Sequence, residues 1–187
     1  MPARYDMVNR VIEAVPGPFY VRWRRSLFNL ARLYQPLTIV EVGTLHGKSA
    51  IFWAYACPDA AVYTIDDCIH KQPILNLQQR IQGRNIITFI GSPHEIGETF
   101  TEPIDLFYIG CDRGHENILE SFVRVIAPGC IIPIYDYNSS RTYDDFLAAH
   151  DDFYTAFSQD AQGEYLYIMR RDDDNPRTML KLKPELL

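Results

Sequence analysis

The sequence predicts an α/β protein with a doubly wound, mostly parallel sheet and helices on both faces. Three observations carry that expectation. Short β-branched runs alternate with helical apolar stripes five times. Two strand-like runs, FYTAFS and EYLYIMRR, then follow, joined around Ala161-Gln162-Gly163. Glycines and polar residues gather where each of the five alternating strands ends, which is where open α/β sheets bind ligands.

The elements follow in order. Residues 5–15 read as a helix ended by Pro16-Gly17-Pro18. Residues 19–34 place Trp23, Leu27, Leu30, Ala31 and Tyr34 on one helical face and Arg22, Arg25 and Arg32 on the other. Pro36 breaks that helix before the first strand, Ile39-Val40-Glu41-Val42. A tight turn bounded by Gly43 and Gly47 leads into a helix over 48–57 that is apolar nearly all round, so it should be covered on more than one side. The second strand, AVYTI, ends at Asp66 and Asp67. A helix is expected over 74–82, a third strand over 86–90, a short helix around 94–100 and a fourth strand over 104–109. A helix over 115–126 carries Ile118, Leu119, Phe122, Val125 and Ile126, and a Pro128-Gly129 turn opens a fifth strand, CIIPIY. Pro133 removes a ladder donor there, which predicts a bulge or an early strand end. A helix over 141–150 precedes the final hairpin. The chain reads as one unit over 1–187, with a helical cap at 1–36, a core at 37–170 and a charged tail at 171–187.

Composition bounds the function. Hydrophobic content of 47% and charge of 22% suit a soluble globular chain. A formal charge of −6 argues against nucleic acid as a partner, because phosphate binding needs a basic surface. Cys57, Cys68, Cys111 and Cys130 form neither a CxxC pair nor a zinc spacing. Arg4, Asp6 and Arg10 interrupt the start as a signal peptide, and no apolar run reaches membrane-span length. The expectation is a cytoplasmic protein with no membrane partner.

Chemistry should centre on residues 38–49, TIVEVGTLHGKS. Asp66 follows Gly43 by 23 residues and ends strand two, where a carboxylate can accept from the ribose hydroxyls of an adenosine cofactor. A helix cap or solvated turn is the plainer role for it. NAD fits poorly, because Gly43-Thr44-Leu45-His46-Gly47 lacks the G-x-G-x-x-G spacing. Glu41 would sit badly beside a pyrophosphate and suits a cofactor that carries an ammonium group.

The run Glu41-Val42-Gly43-Thr44-Leu45-His46-Gly47-Lys48-Ser49 resembles the first motif of class I S-adenosylmethionine-dependent methyltransferases. It is most similar to the branch reading E-[IV]-G-T-x-x-G-x-S, with small-molecule O-methyltransferases and cephalosporin-hydroxylase-like proteins. The resemblance runs on through Asp66, Gly91-Ser92, Pro103-Ile104-Asp105-Leu106 and the stretch from Leu119 to Tyr137. It implies a Rossmann-like seven-stranded sheet in the order 3-2-1-4-5-7-6. It also implies S-adenosyl-L-methionine as cofactor, with S-adenosylhomocysteine as product. Gly43, Thr44 and Gly47 would approach the methionine and ribose portion. Glu41 would act near the amino acid end with help from Ser49. Asp66 would hold the ribose, Ser92 would lie beside the adenine, and Asp112 would sit at the mouth of the pocket.

Two departures stand out. The branch usually reads I-D-G-D-H after strand four, whereas this chain has Ile109-Gly110-Cys111-Asp112-Arg113. Catechol-type relatives have Asp-Asn after strand five, whereas this chain has Asp136-Tyr137. Magnesium prefers several oxygen ligands, so a divalent metal is not expected. An oxygen acceptor needs a general base near working pH, and the candidates are His115, Asp112, Asp136 and His46. The acceptor, a small hydroxylated molecule, would be enclosed by residues 1–36, by the 138–145 loop or by a second copy in a homo-oligomer. A degenerate S-adenosylmethionine-binding protein or partner subunit is the alternative reading, and a dehydrogenase-like nucleotide binder is a third.

Overall fold

The computed structural model describes residues 2–15, 24–67, 85–111, 115–134, 141–159 and 165–171. The predicted helix over 74–82, the Pro16-Gly17-Pro18 stop, Cys68, the Ala161-Gln162-Gly163 turn and the tail after 171 lie outside those residues. Seven strands form one sheet: β1 (Thr38–Val42), β2 (Ala61–Asp66), β3 (Ile86–Ile90), β4 (Ile104–Ile109), β5 (Ile126–Ile134), β6 (Phe153–Gln159) and β7 (Tyr165–Arg171). Their order is β3-β2-β1-β4-β5-β7-β6, as the family resemblance implies. The first five strands pair in parallel, and β7 runs antiparallel between β5 and β6.

Among the described residues six α-helices flank the sheet: α1 (Pro2–Glu13), α2 (Arg24–Tyr34), α3 (Lys48–Ala56), α4 (Pro93–Thr99), α5 (His115–Phe122) and α6 (Arg141–Ala149). Side chains alternate across a strand, and the core divides accordingly. Ile39, Val62, Leu106, Tyr108, Ile131 and Ile168 pack under α1, α2 and α3. Val40, Val42, Ile65, Phe107, Ile132 and Met169 pack against α5 and α6 on the other side. Helix α3 is buried nearly all round, as its composition predicts; Trp53 has no exposed surface and sets its ring edge-on to Phe52 and Tyr108. No helix among the described residues is long and apolar enough to cross a membrane.

Three connections fix the frame. Asp105 Oδ2 accepts from the amides of Leu37 and Thr38, both at 2.9 Å, and so pins the start of β1 to β4. Tyr34 donates its hydroxyl to the Gly129 carbonyl at 2.7 Å, joining α2 to β5. Ser92 caps α4, with Pro93 in its first turn.

The structure corrects the predicted boundary between the fifth helix and the fifth strand. Helix α5 ends at Phe122, a 3₁₀ turn covers Val123–Val125, and β5 already begins at Ile126. Ile104 pairs with Ile126 and Leu106 with Ile131, so β5 advances five residues while β4 advances two. Pro128-Gly129 is therefore a bulge inside the strand, not a turn before it. Pro128 has no N–H to give the ladder, and Gly129 takes a φ of 80° that only glycine adopts cheaply. Pro133 does not end the strand; it lies opposite Ile168 in the antiparallel ladder.

Gly97 lets α4 lie against α5. A Cβ there would meet the Phe122 ring at 2.7 Å and the Ser121 hydroxyl. Helix propensity favours alanine by about 1 kcal/mol. Overpacking costs about 1–3 kcal/mol, and against a fully buried Phe122 ring the cost should fall in the upper part of that range, about 2–3 kcal/mol. We expect G97A to lose about 1–2 kcal/mol, seen in a thermal melt as a Tm roughly 2–8 °C lower. An unchanged or higher Tm would show that the helix pair can yield.

Candidate functional site

Glu41 lies one residue before the end of β1, between apolar neighbours, with no exposed surface. Strand parity turns its side chain toward α3. In register it stands beside Thr64 of β2 on one side and Tyr108 of β4 on the other. Thr64 donates its hydroxyl to Glu41 Oε1 at 2.8 Å. The Thr64 and Thr44 hydroxyl oxygens are 2.6 Å apart, so a chain of three buried polar groups runs from the sheet into the turn after β1. Burial pushes the Glu41 pKa up from 4.5 to about 7; the nearby Ser49 and Thr64 hydroxyls oppose that rise, the Asp66 charge adds to it, and the Trp53 indole opposes it. Glu41 Oε2 and Trp53 Nε1 both lack a hydrogen-bond partner among the described residues, so the indole approaches the carboxyl without closing a bond to it.

The turn from 43 to 47 is held from outside at successive residues. Gly43 N–H donates to the Ile65 carbonyl at 2.8 Å, Thr44 meets Thr64, and Leu45 N–H donates to Asp66 Oδ2 at 2.8 Å. Three neighbouring residues of β2 thus grip three neighbouring residues of the turn. Within the turn Gly47 N–H donates to the Thr44 carbonyl at 2.6 Å. Gly43 (φ 102°), Leu45 (φ 42°) and Gly47 (φ 71°) all take left-handed backbone. Gly43 has a second reason to lack a side chain: a Cβ would lie 3.0 Å from the Cys111 nitrogen and the Gly110 carbonyl carbon. Gly47 is the N-cap of α3 and offers no side-chain cap, so the positive end of that helix faces the turn.

The sequence-predicted site residues divide into those brought together and those not placed. Glu41, Gly43, Thr44, Gly47, Ser49 and Asp66 converge where β1 meets α3. Asp66 does double duty, since one oxygen already accepts from Leu45 and a carboxylate has acceptor capacity to spare. Ser92 stands at the end of β3, joined to Asp66 by the neighbouring Gly91 N–H, which donates to the Asp66 carbonyl at 3.0 Å; its own hydroxyl accepts from Glu95 N–H at 3.5 Å. His115 opens α5, and Asp112 and Asp136 lie outside the described residues. No three His, Cys, Asp or Glu side chains converge as a metal site among the described residues. Thr64 is the site residue that sequence reasoning missed. Its signal was there: a buried strand carboxylate needs a donor, and of the two hydroxyl residues in the neighbouring AVYTI run, Tyr63 and Thr64, register sets Thr64 beside Glu41.

A family model described as a methyltransferase domain matches residues 40–137, over half of the chain. Solved structures show the same fold. An O-methyltransferase from Bacillus cereus in complex with S-adenosylhomocysteine is 18% identical, with a TM-score of 0.66 and 91% of each chain covered. The O-methyltransferase TomG from Streptomyces achromogenes, involved in tomaymycin synthesis and in complex with S-adenosylmethionine, is 20% identical, with a TM-score of 0.62, and the match covers 91% of this chain and 89% of that one. An S-adenosylhomocysteine-bound methyltransferase from Podospora anserina is 15% identical, with a TM-score of 0.67, and the match covers 92% of this chain and 89% of that one.

Two predictions follow from the geometry. Alanine at Gly43 must accept both a left-handed φ and contact with fixed backbone, so G43A should lose about 2–4 kcal/mol in a denaturant titration; retention of full stability would mean that the turn and the β4 end can separate. The second concerns pH. The Glu41 pKa is higher folded than unfolded, so folding holds a proton that unfolding releases. Its contribution is complete below about pH 4.5 and is lost as pH rises through about 7. Stability of the wild type relative to E41Q, which cannot ionise, should therefore fall by about 3 kcal/mol between pH 4.5 and 8. A flat difference would show that the carboxyl is already ionised at acid pH.

Proposed function

This chain belongs to the methyltransferase-domain family, and from that premise we propose that it transfers a methyl group from S-adenosylmethionine to a small hydroxylated molecule. The observation that carries the proposal is the preformed 43–47 turn, with a buried carboxyl behind it and a carboxylate at the end of β2 beside it. The residues fit the cofactor. An uncapped N-terminus of α3 suits a carboxylate, and the acidic Glu41, with its unpartnered buried oxygen, suits an ammonium. Solved structures of the same fold carry S-adenosylmethionine or its product by their own description.

Bound S-adenosylmethionine supplies a methyl group on a positively charged sulfur, open to in-line attack. The chain's task is then alignment, which can contribute roughly 7–11 kcal/mol. In this reading Gly43, Thr44 and Gly47 seat the amino acid and ribose portion, and Asp66 accepts from the ribose while it holds Leu45. Glu41 acts from below the surface, by its charge and through Thr64 and Thr44, because it has no exposed atom. Ser92 is proposed to lie beside the adenine, and Asp112 to act at the mouth of the pocket. His115, Asp112 and Asp136 are the groups proposed to take the acceptor proton. The acceptor wall comes from the N-terminal helices, the loop before α6 or a second copy of the chain.

Thermal melts of the full chain with S-adenosylmethionine, S-adenosylhomocysteine and NAD in separate wells test this. At about 100 times its dissociation constant a ligand adds about 2.7 kcal/mol. The two sulfur compounds should raise Tm by roughly 5–10 °C, and NAD should not. No rise with either sulfur compound at millimolar concentration would overturn the proposal. After a positive result, methyl transfer to a panel of phenols and other hydroxylated molecules separates an active enzyme from a binding-only protein.

A further inference from the structure

The buried chain from Glu41 to Thr44 has a direction. Thr64 has a single hydroxyl hydrogen, and it goes to Glu41 Oε1 at 2.8 Å. With Glu41 ionised, Thr64 therefore accepts at the 2.6 Å contact and Thr44 donates; a protonated Glu41 can reverse both bonds without breaking the chain. Glu41 and Thr64 have no exposed surface and Thr44 has 2%, so water cannot replace either bond. Thr64 and Asp66 project from the same side of β2, two residues apart, and reach adjacent residues of the turn.

We propose that Thr64 is a positioning residue for the cofactor turn: it ties the Thr44 hydroxyl to Glu41 and thereby fixes the 43–47 backbone against which S-adenosylmethionine would lie. This rests on the methyltransferase reading above. Thr64 is too deeply buried to touch the cofactor itself, so it acts only through Thr44. Valine at 64 keeps the shape but leaves two buried polar groups without a partner. Serine keeps the hydroxyl and loses only a methyl group. A side chain needed merely for packing would tolerate valine and suffer from serine; a positioning hydroxyl gives the reverse order.

Calorimetric titration of the full chain with S-adenosylhomocysteine, well below Tm, reads that order. T64V should weaken binding by roughly five- to thirtyfold, and T64S should stay within about twofold of wild type. T44V removes one of the same bonds from the other end and should also weaken binding, and the loss in the double variant should be smaller than the sum of the two single losses. Wild-type affinity in T64V, or equal loss in T64S and T64V, overturns the inference while the methyltransferase reading stands. Absence of binding by the wild type overturns that reading and this inference with it. Should T64V fail to fold, T64C, which keeps the size but offers only a weak thiol hydrogen bond, decides against T64S by the same criterion.

Discussion

A carboxyl group sits in the middle of a buried parallel sheet, and the arrangement around it follows from that fact. Taking an ionised carboxylate out of water costs several kcal/mol unless it is paired or neutralised. Glu41 has no cationic partner among the hydrogen bonds described; it has one hydroxyl donor at hand and a pKa pushed up to about 7. The sheet supplies Thr64 as the donor because parallel register sets residue 41 beside residue 64. Helix α3 brings Ser49 and Trp53 over the same spot. An apolar side chain of similar volume would pack there without such cost. A group that works against stability, placed directly behind the turn proposed to seat the cofactor, points to function rather than to the fold.

The turn in front of it is rigid for a related reason. A glycine-bounded loop would ordinarily lose much backbone entropy when a ligand settles on it. Here the order is already in place: bonds from Ile65, Thr64 and Asp66 fix Gly43, Thr44 and Leu45 in turn, and Gly47 closes on Thr44. Less ordering remains to be done on binding, which is the physical content of preorganisation. The same geometry changes what the glycines mean. Gly43 makes room for the backbone of Gly110 and Cys111 as well as for any ligand, so it serves the joint between β1 and β4 first.

Much of this was legible in the sequence. Alternating strand and helix patterns, the final hairpin and the motif from Glu41 to Ser49 led to the observed strand order and to the cluster of Glu41, Gly43, Thr44, Gly47, Ser49 and Asp66. What escaped depended on pairing between distant strands. Ile126 looks like the last apolar position of a helix until Ile104 is known to lie beside it. Pro128-Gly129 looks like a turn, because a bulge and a turn use the same residues for the same backbone reasons. Thr64 looks like an ordinary β-branched strand residue until register sets it against Glu41.

Gly110 shows how register also reinterprets a departure from a family pattern. By sequence it stands where relatives carry an aspartate, and its loss of a side chain suggests a lost function. In the fold, a Cβ at 110 would meet the Tyr108 ring at 2.9 Å. Tyr108 is buried against Trp53 and stands beside Glu41 in register, so that ring is not free to swing aside. Gly110 N–H also donates to the Val42 carbonyl at 2.8 Å, and its backbone closes against Gly43. Glycine at 110 therefore has a packing reason that connects directly to the buried carboxyl and its turn. The departure is consistent with a working cofactor site built around a tyrosine at 108, and it carries no weight on its own for a degenerate one.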